Sequence, residues 1–272
     1  MSAPRVAVVQ FPGVNCEAET VRALGRAGLD GEVFRWTRPA AQLRDYRAYV
    51  LPGGFSWQDR VRAGALSAKD PLMRVLIEEV RAGGKPVLGI CNGAQVLVEA
   101  GLVPGGTTVE LALARNRMPG REGYYARWVY VRVERSSCVF TRALEPGMVL
   151  PLPVAHGEGC FTSGEPGRLA ELAAAGQVPL RYAAADGADA GAFPANPNGS
   201  AAGAAAVCDA RGTALALMPH PERALDLGQL GRGVAGEWAA RRRRACEEGT
   251  LREEPGPGAA LFEGLRRHLE EA

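Results

Sequence analysis

The five residues Gly89-Ile90-Cys91-Asn92-Gly93 constrain this chain more than any other segment. The apolar run Lys85-Pro86-Val87-Leu88 leads into them, and Ala94-Gln95-Val96-Leu97 opens an amphipathic stretch after them. Read as strand, sharp turn and helix, the segment puts Cys91 at the tip of a nucleophile elbow, with cysteine in the place more often held by serine. The glycines relieve backbone crowding at such a turn. The helix N-terminus behind it favours a thiolate. The same pattern also fits a buried structural cysteine between two turn glycines.

The flanking pattern narrows the fold. Arg5–Gln10, Glu32–Trp36, Tyr46–Leu51 and Pro86–Ile90 read as short strands. Between them, Glu17–Gly28 and Pro71–Ala82 have helical spacing, and Gln95–Ala100 continues the elbow helix. Strands alternating with helices imply βαβ units around a parallel sheet. The elbow then sits at the carboxyl end of a strand, where open α/β sheets place their sites. Further on, Ala126–Glu134, Ala205–Val207 and Thr213–Met218 read as strands, the last two joined by a turn around Asp209-Ala210-Arg211-Gly212 as an antiparallel addition. Ala183–Ala206 reads as loop, Glu237–Glu253 as a charged helix, and Ala259–Leu269 as a last amphipathic helix. The expectation is one domain over residues 1–272 with an extended helical C-terminal segment from about 225 to 272.

Composition excludes several function classes. The 272 residues are 47% hydrophobic and carry a net charge of +2, so neither a nucleic-acid nor a membrane-surface footprint is expected. No apolar run is long enough for a membrane span. The start of the chain lacks the pattern of a signal peptide. Six cysteines are scattered without a C-x-x-C pair, which argues against a metal site or a disulfide framework and fits a reducing cytoplasm.

A cysteine nucleophile needs a base, and the base an orienting group. The chain has three histidines. His268 lies in the charged terminal helix and reads as solvated surface. His156 lies in the glycine-rich Ala155-His156-Gly157-Glu158-Gly159, which could line a site. His220 follows the run Ala214–Met218 in Met218-Pro219-His220-Pro221-Glu222-Arg223, just past a strand end. In an extended segment Glu222 points to the same side as His220 and can set its tautomer. An ordinary surface turn with a chance salt bridge fits the same residues. If Cys91, His220 and Glu222 meet, the chemistry is acyl transfer through a thioester, with backbone N–H groups holding the oxyanion. The N–H after the nucleophile, on Asn92, is one donor, and the turn Pro52-Gly53-Gly54 is a candidate for the other.

Together these segments resemble the class I, triad-type glutamine amidotransferases. Within them they look like the glutaminase components of phosphoribosylformylglycinamidine synthase, from de novo purine synthesis. The resemblance rests on Phe11-Pro12-Gly13 with Asn15-Cys16, Pro52-Gly53-Gly54-Phe55-Ser56 with Asp59, and Arg62-Ala63-Gly64-Ala65. It continues through the elbow with Gln95, the His-Gly-Glu-Gly loop, Asn196-Pro197-Asn198-Gly199-Ser200 and the His-Pro-Glu-Arg segment. It implies a three-layer α/β/α sandwich with a mainly parallel, flavodoxin-like sheet plus antiparallel additions. It implies Cys91, His220 and Glu222 as the triad, Gly54 and Asn92 as oxyanion donors, and Gln95 as a substrate contact. Glutamine would be hydrolysed to glutamate and ammonia. The ammonia would pass to a synthetase subunit that uses ATP and Mg²⁺ to convert formylglycinamide ribonucleotide to the amidine, sometimes with a small third subunit. No cofactor is expected in this chain, which lacks a Walker A pattern.

Trp57 and Gln58 stand where the family usually has tyrosine and glycine, and Ala94 replaces a usual larger residue. The segment from about Leu225 to Gly258 looks longer than the family's C-terminus. Within it, Arg241–Arg244 reads as a solvated helix face paired with nearby glutamates, or as a surface for an acidic partner. Competing readings are a glutaminase subunit of another amidotransferase, an elbow-cysteine peptidase or stress protein, and a non-catalytic assembly subunit.

Overall fold

The computed structural model describes residues 2–106 and 108–271. Four N-terminal strands lie in the parallel part of a nine-stranded sheet: β1 (Arg5–Gln10), the mostly polar edge strand β2 (Asp30–Arg35), β3 (Ala48–Leu51) and β4 (Val87–Ile90). A two-stranded sheet pairs β5 (Leu111–Ala114) with β8 (Cys160–Ser163). The main sheet is completed by β6 (Tyr125–Val133), β7 (Val149–His156), β9 (Leu180–Ala183), β10 (Ala204–Cys208) and β11 (Ala214–Leu217). Its order is β2-β1-β3-β4-β11-β10-β9-β6-β7. From β2 to β11 every pairing is parallel, and from β11 to β7 every pairing is antiparallel. Strands β3, β4 and β11 are buried throughout, as parallel strands covered on both faces must be.

Helices α1 (Glu17–Arg26), α2 (Ala65–Ala68), α3 (Pro71–Arg81), α4 (Asn92–Glu99), α5 (Arg168–Ala174), α6 (Glu237–Glu248) and α7 (Ala259–Glu271) flank the sheet. Local chemistry fixes their ends. The Asp70 carboxylate accepts from Leu72 N–H at 2.9 Å, with Pro71 at the first helical position, so α3 starts there. Gly28, at φ +78°, closes the turn after α1.

Several expectations need correction. Helix α6 ends at Glu248 rather than Glu253, because Gly249 takes a left-handed φ of 76°. The loop expected over 183–206 gives way to β10 at Ala204. His156 ends a strand, β7, that Pro151 and Pro153 conceal in the sequence. Strand β7 is the edge of the sheet, and an edge tolerates the missing N–H groups. His268 is half-buried, near Arg142 and Glu271, rather than fully solvated.

The segment between the His220 turn and α7 folds back on itself. Asp226 and Pro255 form an antiparallel bridge, and Gly256 and Gly258 donate to the carbonyls of Leu225 and Ala224. Its own small core of Leu227, Leu230, Val234 and Ala245 packs against Trp128 and Tyr130 of β6. Trp238 donates its indole N–H to Val149 O at 2.9 Å. Arg241 stacks over Trp238 and reaches Glu254 and Pro255 O, so this arginine binds its own segment.

Candidate active site

Strand β4 and helix α4 meet at Cys91, whose backbone is held at φ 51°, ψ −104°. For a non-glycine residue this conformation costs about 1–3 kcal/mol and persists only when packing enforces it. The enforcement is visible. Cys91 N–H donates to Leu217 O on β11 at 2.7 Å. A Cβ on Gly93 would overlap the Leu51 carbonyl, and one on Gly89 would come within 2.5 Å of Gly93 O. The elbow is therefore packed backbone-to-backbone against β3, and the thiol is pushed out over the sheet edge toward Ala155 O, 3.6 Å from Sγ.

His220 follows β11. Its N–H donates to Pro153 O of β7 at 2.8 Å, so the edge strand fixes the turn. Its Nδ1 lies 2.6 Å from Glu222 Oε1, with both side chains buried. With Glu222 as a carboxylate, Nδ1 carries the proton and donates it in this bond. Nε2 is buried and has no partner in the protein. Burial opposes charge on the ring, but the Glu222 carboxylate, with Cys91 and Cys16, outweighs it and holds His220 well above the usual histidine range.

Cys91, His220, Gly54 and Gln95 line one cavity of about 380 Å³, and Glu222 stands behind it as the Nδ1 partner of His220. Gly54 has φ +147°, and a Cβ there would meet Val14 Cα at 2.6 Å. Only glycine fits. The bridge between Val14 and Gly54 is closed by Asn15 N–H to Gly53 O and Phe55 N–H to Gly13 O, which leaves the Gly54 N–H outside it. Asn92 opens α4, so its N–H has no acceptor one turn earlier. The Asn92 side chain ties the site together: Oδ1 accepts from Ser56 N–H, and Nδ2 donates to Gln95 Oε1 at 2.9 Å and Asp59 Oδ1 at 3.2 Å. Gln95 Nε2 donates to Glu158 O at 2.7 Å, so its amide holds the loop after β7.

His156 also lines the cavity, but its Nδ1 bonds Asn116 Oδ1 at 3.0 Å and its ring lies against the Gly159 backbone. Burial and the neighbouring His220 push its pKa down to about 3, which keeps it neutral. The Asn-Pro-Asn-Gly-Ser segment latches this loop: Asn198 Nδ2 donates to Gly159 O, and Ser200 Oγ accepts from Phe161 N–H.

Cys16 and Arg223 were not singled out by pattern as site residues. Cys16 Sγ, a His220 ring nitrogen and a Glu222 oxygen all lie within 4.8 Å of one another. Arg223 donates to Cys16 Sγ at 3.0 Å and to Glu19 at 3.1 Å. The only sequence signal was their place in the Asn15-Cys16 and His-Pro-Glu-Arg segments.

Comparison with known proteins fits this geometry. The family model for the CobB/CobQ-like glutamine amidotransferase domain matches residues 3–262. The phosphoribosylformylglycinamidine synthase subunit PurQ of Methanothrix thermoacetophila is 41% identical over 98% of this chain and 98% of its own length. PurQ of Thermus thermophilus is 43% identical over 82% of this chain and 90% of its own. The chain belongs to the glutamine amidotransferase family, on its PurQ branch. The structure of PurLQS from Thermotoga maritima matches at TM-score 0.71 and 29% identity, over 98% of this chain and 99% of that one. A second Thermotoga maritima glutamine amidotransferase, at TM-score 0.53 and 17% identity, shares the fold.

Two of the departures from the family pattern, Trp57 and Gln58, fall in one loop of this amidotransferase. Trp57, Gln58 and Asp59 have φ of 55°, 60° and 53°, a left-handed run in which glycine is the easier residue. Trp57 packs edge-on against Trp36, with ring centroids 5.2 Å apart, which anchors the loop from outside. Ala94 is fully buried behind the elbow.

Proposed function

We propose that this chain is the glutaminase subunit of a phosphoribosylformylglycinamidine synthase, and that Cys91, His220 and Glu222 are its catalytic triad. The observation that carries the reading is the buried His220–Glu222 pair, 2.6 Å apart, with a free Nε2 in the cavity that Cys91 lines.

The Cys91 thiol passes its proton to His220 Nε2 as its sulfur attacks the side-chain amide carbon of glutamine, and the Gly54 and Asn92 N–H groups stabilise the oxyanion. His220 gives its Nε2 proton to the departing nitrogen, the C–N bond breaks, and ammonia leaves a γ-glutamyl thioester. Water then attacks the thioester carbon while His220 takes its proton. His220 returns that proton to the sulfur as the C–S bond breaks, which leaves glutamate and the free thiol. Gln95 holds the loop that closes over the substrate. The ammonia passes to a synthetase subunit, where ATP and Mg²⁺ act in converting formylglycinamide ribonucleotide to the amidine. A small third subunit completes the assembly, and the compartment is the cytoplasm. No described helix is long and apolar enough to cross a membrane.

The test is ammonia and glutamate release from glutamine, with and without the synthetase and its nucleotide substrates. Release that depends on the wild-type thiol and vanishes in Cys91→Ala is expected. Amidine synthesis from added ammonium salt should survive in that variant. Glutamine-dependent synthesis that persists in Cys91→Ala would overturn the reading.

A further inference from the structure

A second thiol, which the triad chemistry does not use, stands beside His220. Cys16 Sγ, a His220 ring nitrogen and a Glu222 carboxylate oxygen all lie within 4.8 Å of one another, and all three residues are buried. Cys16 comes from the turn before α1 and the other two from the turn after β11, so no spacing pattern in the sequence records the cluster. Gly53 holds the sulfur and the ring together: a Cβ there would come within 3.1 Å of Cys16 Sγ and 2.8 Å of His220 Cε1.

Two further observations point to a cationic ligand. Glu222 is fully buried, yet its second oxygen, Oε2, has no hydrogen-bond partner among the described residues. A buried acceptor without a donor is rare and costly. The chain also brings a cation of its own to the cluster. Arg223 donates to Cys16 Sγ at 3.0 Å, and its Nε lies 4.0 Å from Glu222 Oε1. The Arg223 side chain is 41% exposed and pairs with Glu19, so it can turn outward and leave the donors to another cation. Cys16 and His220 line the cavity that Cys91 lines, which gives an aqueous ion its way in.

We propose that Cys16, His220 and Glu222 form an inhibitory site for a thiophilic divalent cation of the zinc type. Zinc accepts thiolate, imidazole and carboxylate together, at about 2.0–2.3 Å. The Cys16 S–H bond, directed at Asn15 Oδ1, breaks on binding and its proton goes to water. Thiolate and carboxylate then balance the two charges of the ion, and the imidazole stays neutral. That the ion inhibits rests on the glutaminase reading above. On Nε2 the metal takes the lone pair that receives the Cys91 proton. On Nδ1 it displaces the bond to Glu222 and leaves the ring proton on Nε2, so that His220 can no longer act as the base.

The test uses cobalt(II) as a spectroscopic stand-in for zinc, on the full chain carrying Cys91→Ala, so that the nucleophile cannot supply the sulfur. A sulfur-to-cobalt charge-transfer band is expected, and zinc should displace it. Adding Cys16→Ser should abolish the band. Adding Glu222→Gln, which keeps the side chain's shape and carries the test if the serine variant does not fold, should weaken binding by at least about tenfold. Adding Arg223→Ala removes the competing charge and should tighten binding. With Cys91 intact, in the assembled enzyme, zinc should inhibit glutamine hydrolysis and a chelator should restore it. Cys16→Ser should then need at least about tenfold more zinc for the same fractional inhibition of its own rate. No band in Cys91→Ala, or a band that survives Cys16→Ser, overturns the site and leaves the glutaminase reading intact. A chain that binds cobalt through Cys16 but never hydrolyses glutamine overturns the glutaminase reading and leaves the site standing.

Discussion

Glu222 is a fully buried side chain whose environment makes sense only as the partner of His220. In the proposed triad it sets the Nδ1–H tautomer, leaves Nε2 to the cavity and stabilises the imidazolium. Glu222→Gln keeps the shape but removes the charge and can present an N–H to Nδ1, which selects the wrong tautomer. A loss in kcat of roughly 10²- to 10⁴-fold is expected, with a much smaller change in KM, read from steady-state glutamine hydrolysis in the assembled enzyme. Asp59 makes a second prediction, on stability. Its carboxyl titrates near 6 in the folded protein, above the unfolded value of about 4, because burial and Glu158 disfavour its charge. The folded state therefore loses stability as pH rises from about 4 to about 6, and the penalty is complete above that. The full shift corresponds to about 3 kcal/mol, and screening of this half-buried group reduces it to roughly 1 kcal/mol. Asp59→Asn should raise the Tm at pH 7.5 by about 2–4 °C and leave it unchanged near pH 4.

At the scale of elements, the glycines around the elbow explain why this part of the fold was legible. Gly89 and Gly93 leave no room for a side chain, so their spacing reports a backbone contact directly. Strands β1, β3 and β4 were readable because each is a short apolar run closed by a turn or a glycine. Strand β7 was hidden, because its prolines read as loop until the sheet places it at an edge. The pairing of Cys91 with His220 was suggested by strand ends, but the approach of Asp59 and Glu158 was not, since it depends on two loops meeting across the sheet edge. Two substitutions of one chemical type separate these cases. Gly93→Ala drives a methyl into the Leu51 carbonyl and should destabilise by about 3 kcal/mol or more. Gly25→Ala, in α1 with open space around it, should stabilise by roughly 0.5–1 kcal/mol. Thermal or urea unfolding of the two proteins side by side tests the opposite signs.

For the whole molecule, the question is what the segment between Asp226 and Pro255 contributes. Its two ends meet in an antiparallel bridge, and its apolar side chains form a core separate from that of the sheet. It contacts the outer strands through Trp128, Tyr130 and the Val149 carbonyl, and α1 through Arg26, which bonds Asp226 and the Arg252 carbonyl, while the proposed triad is held by β4, β11 and the Pro153 carbonyl. An element arranged this way can be removed without pulling on the site, because the residues it leaves behind are already adjacent. Replacing residues 228–253 by two glycines should therefore give a folded protein that retains Cys91-dependent glutamine hydrolysis in the assembled enzyme. Stability should fall, since Trp128 and Tyr130 lose their cover and each large side chain exposed forfeits about 1.5–3 kcal/mol at most. A Tm lower by several degrees with kcat within a few-fold of wild type is the expected outcome. A shortened protein that folds with an unchanged near-ultraviolet spectrum of its core but loses glutamine hydrolysis would show that the segment shapes the site through β7, the strand whose Pro153 carbonyl holds the turn of His220.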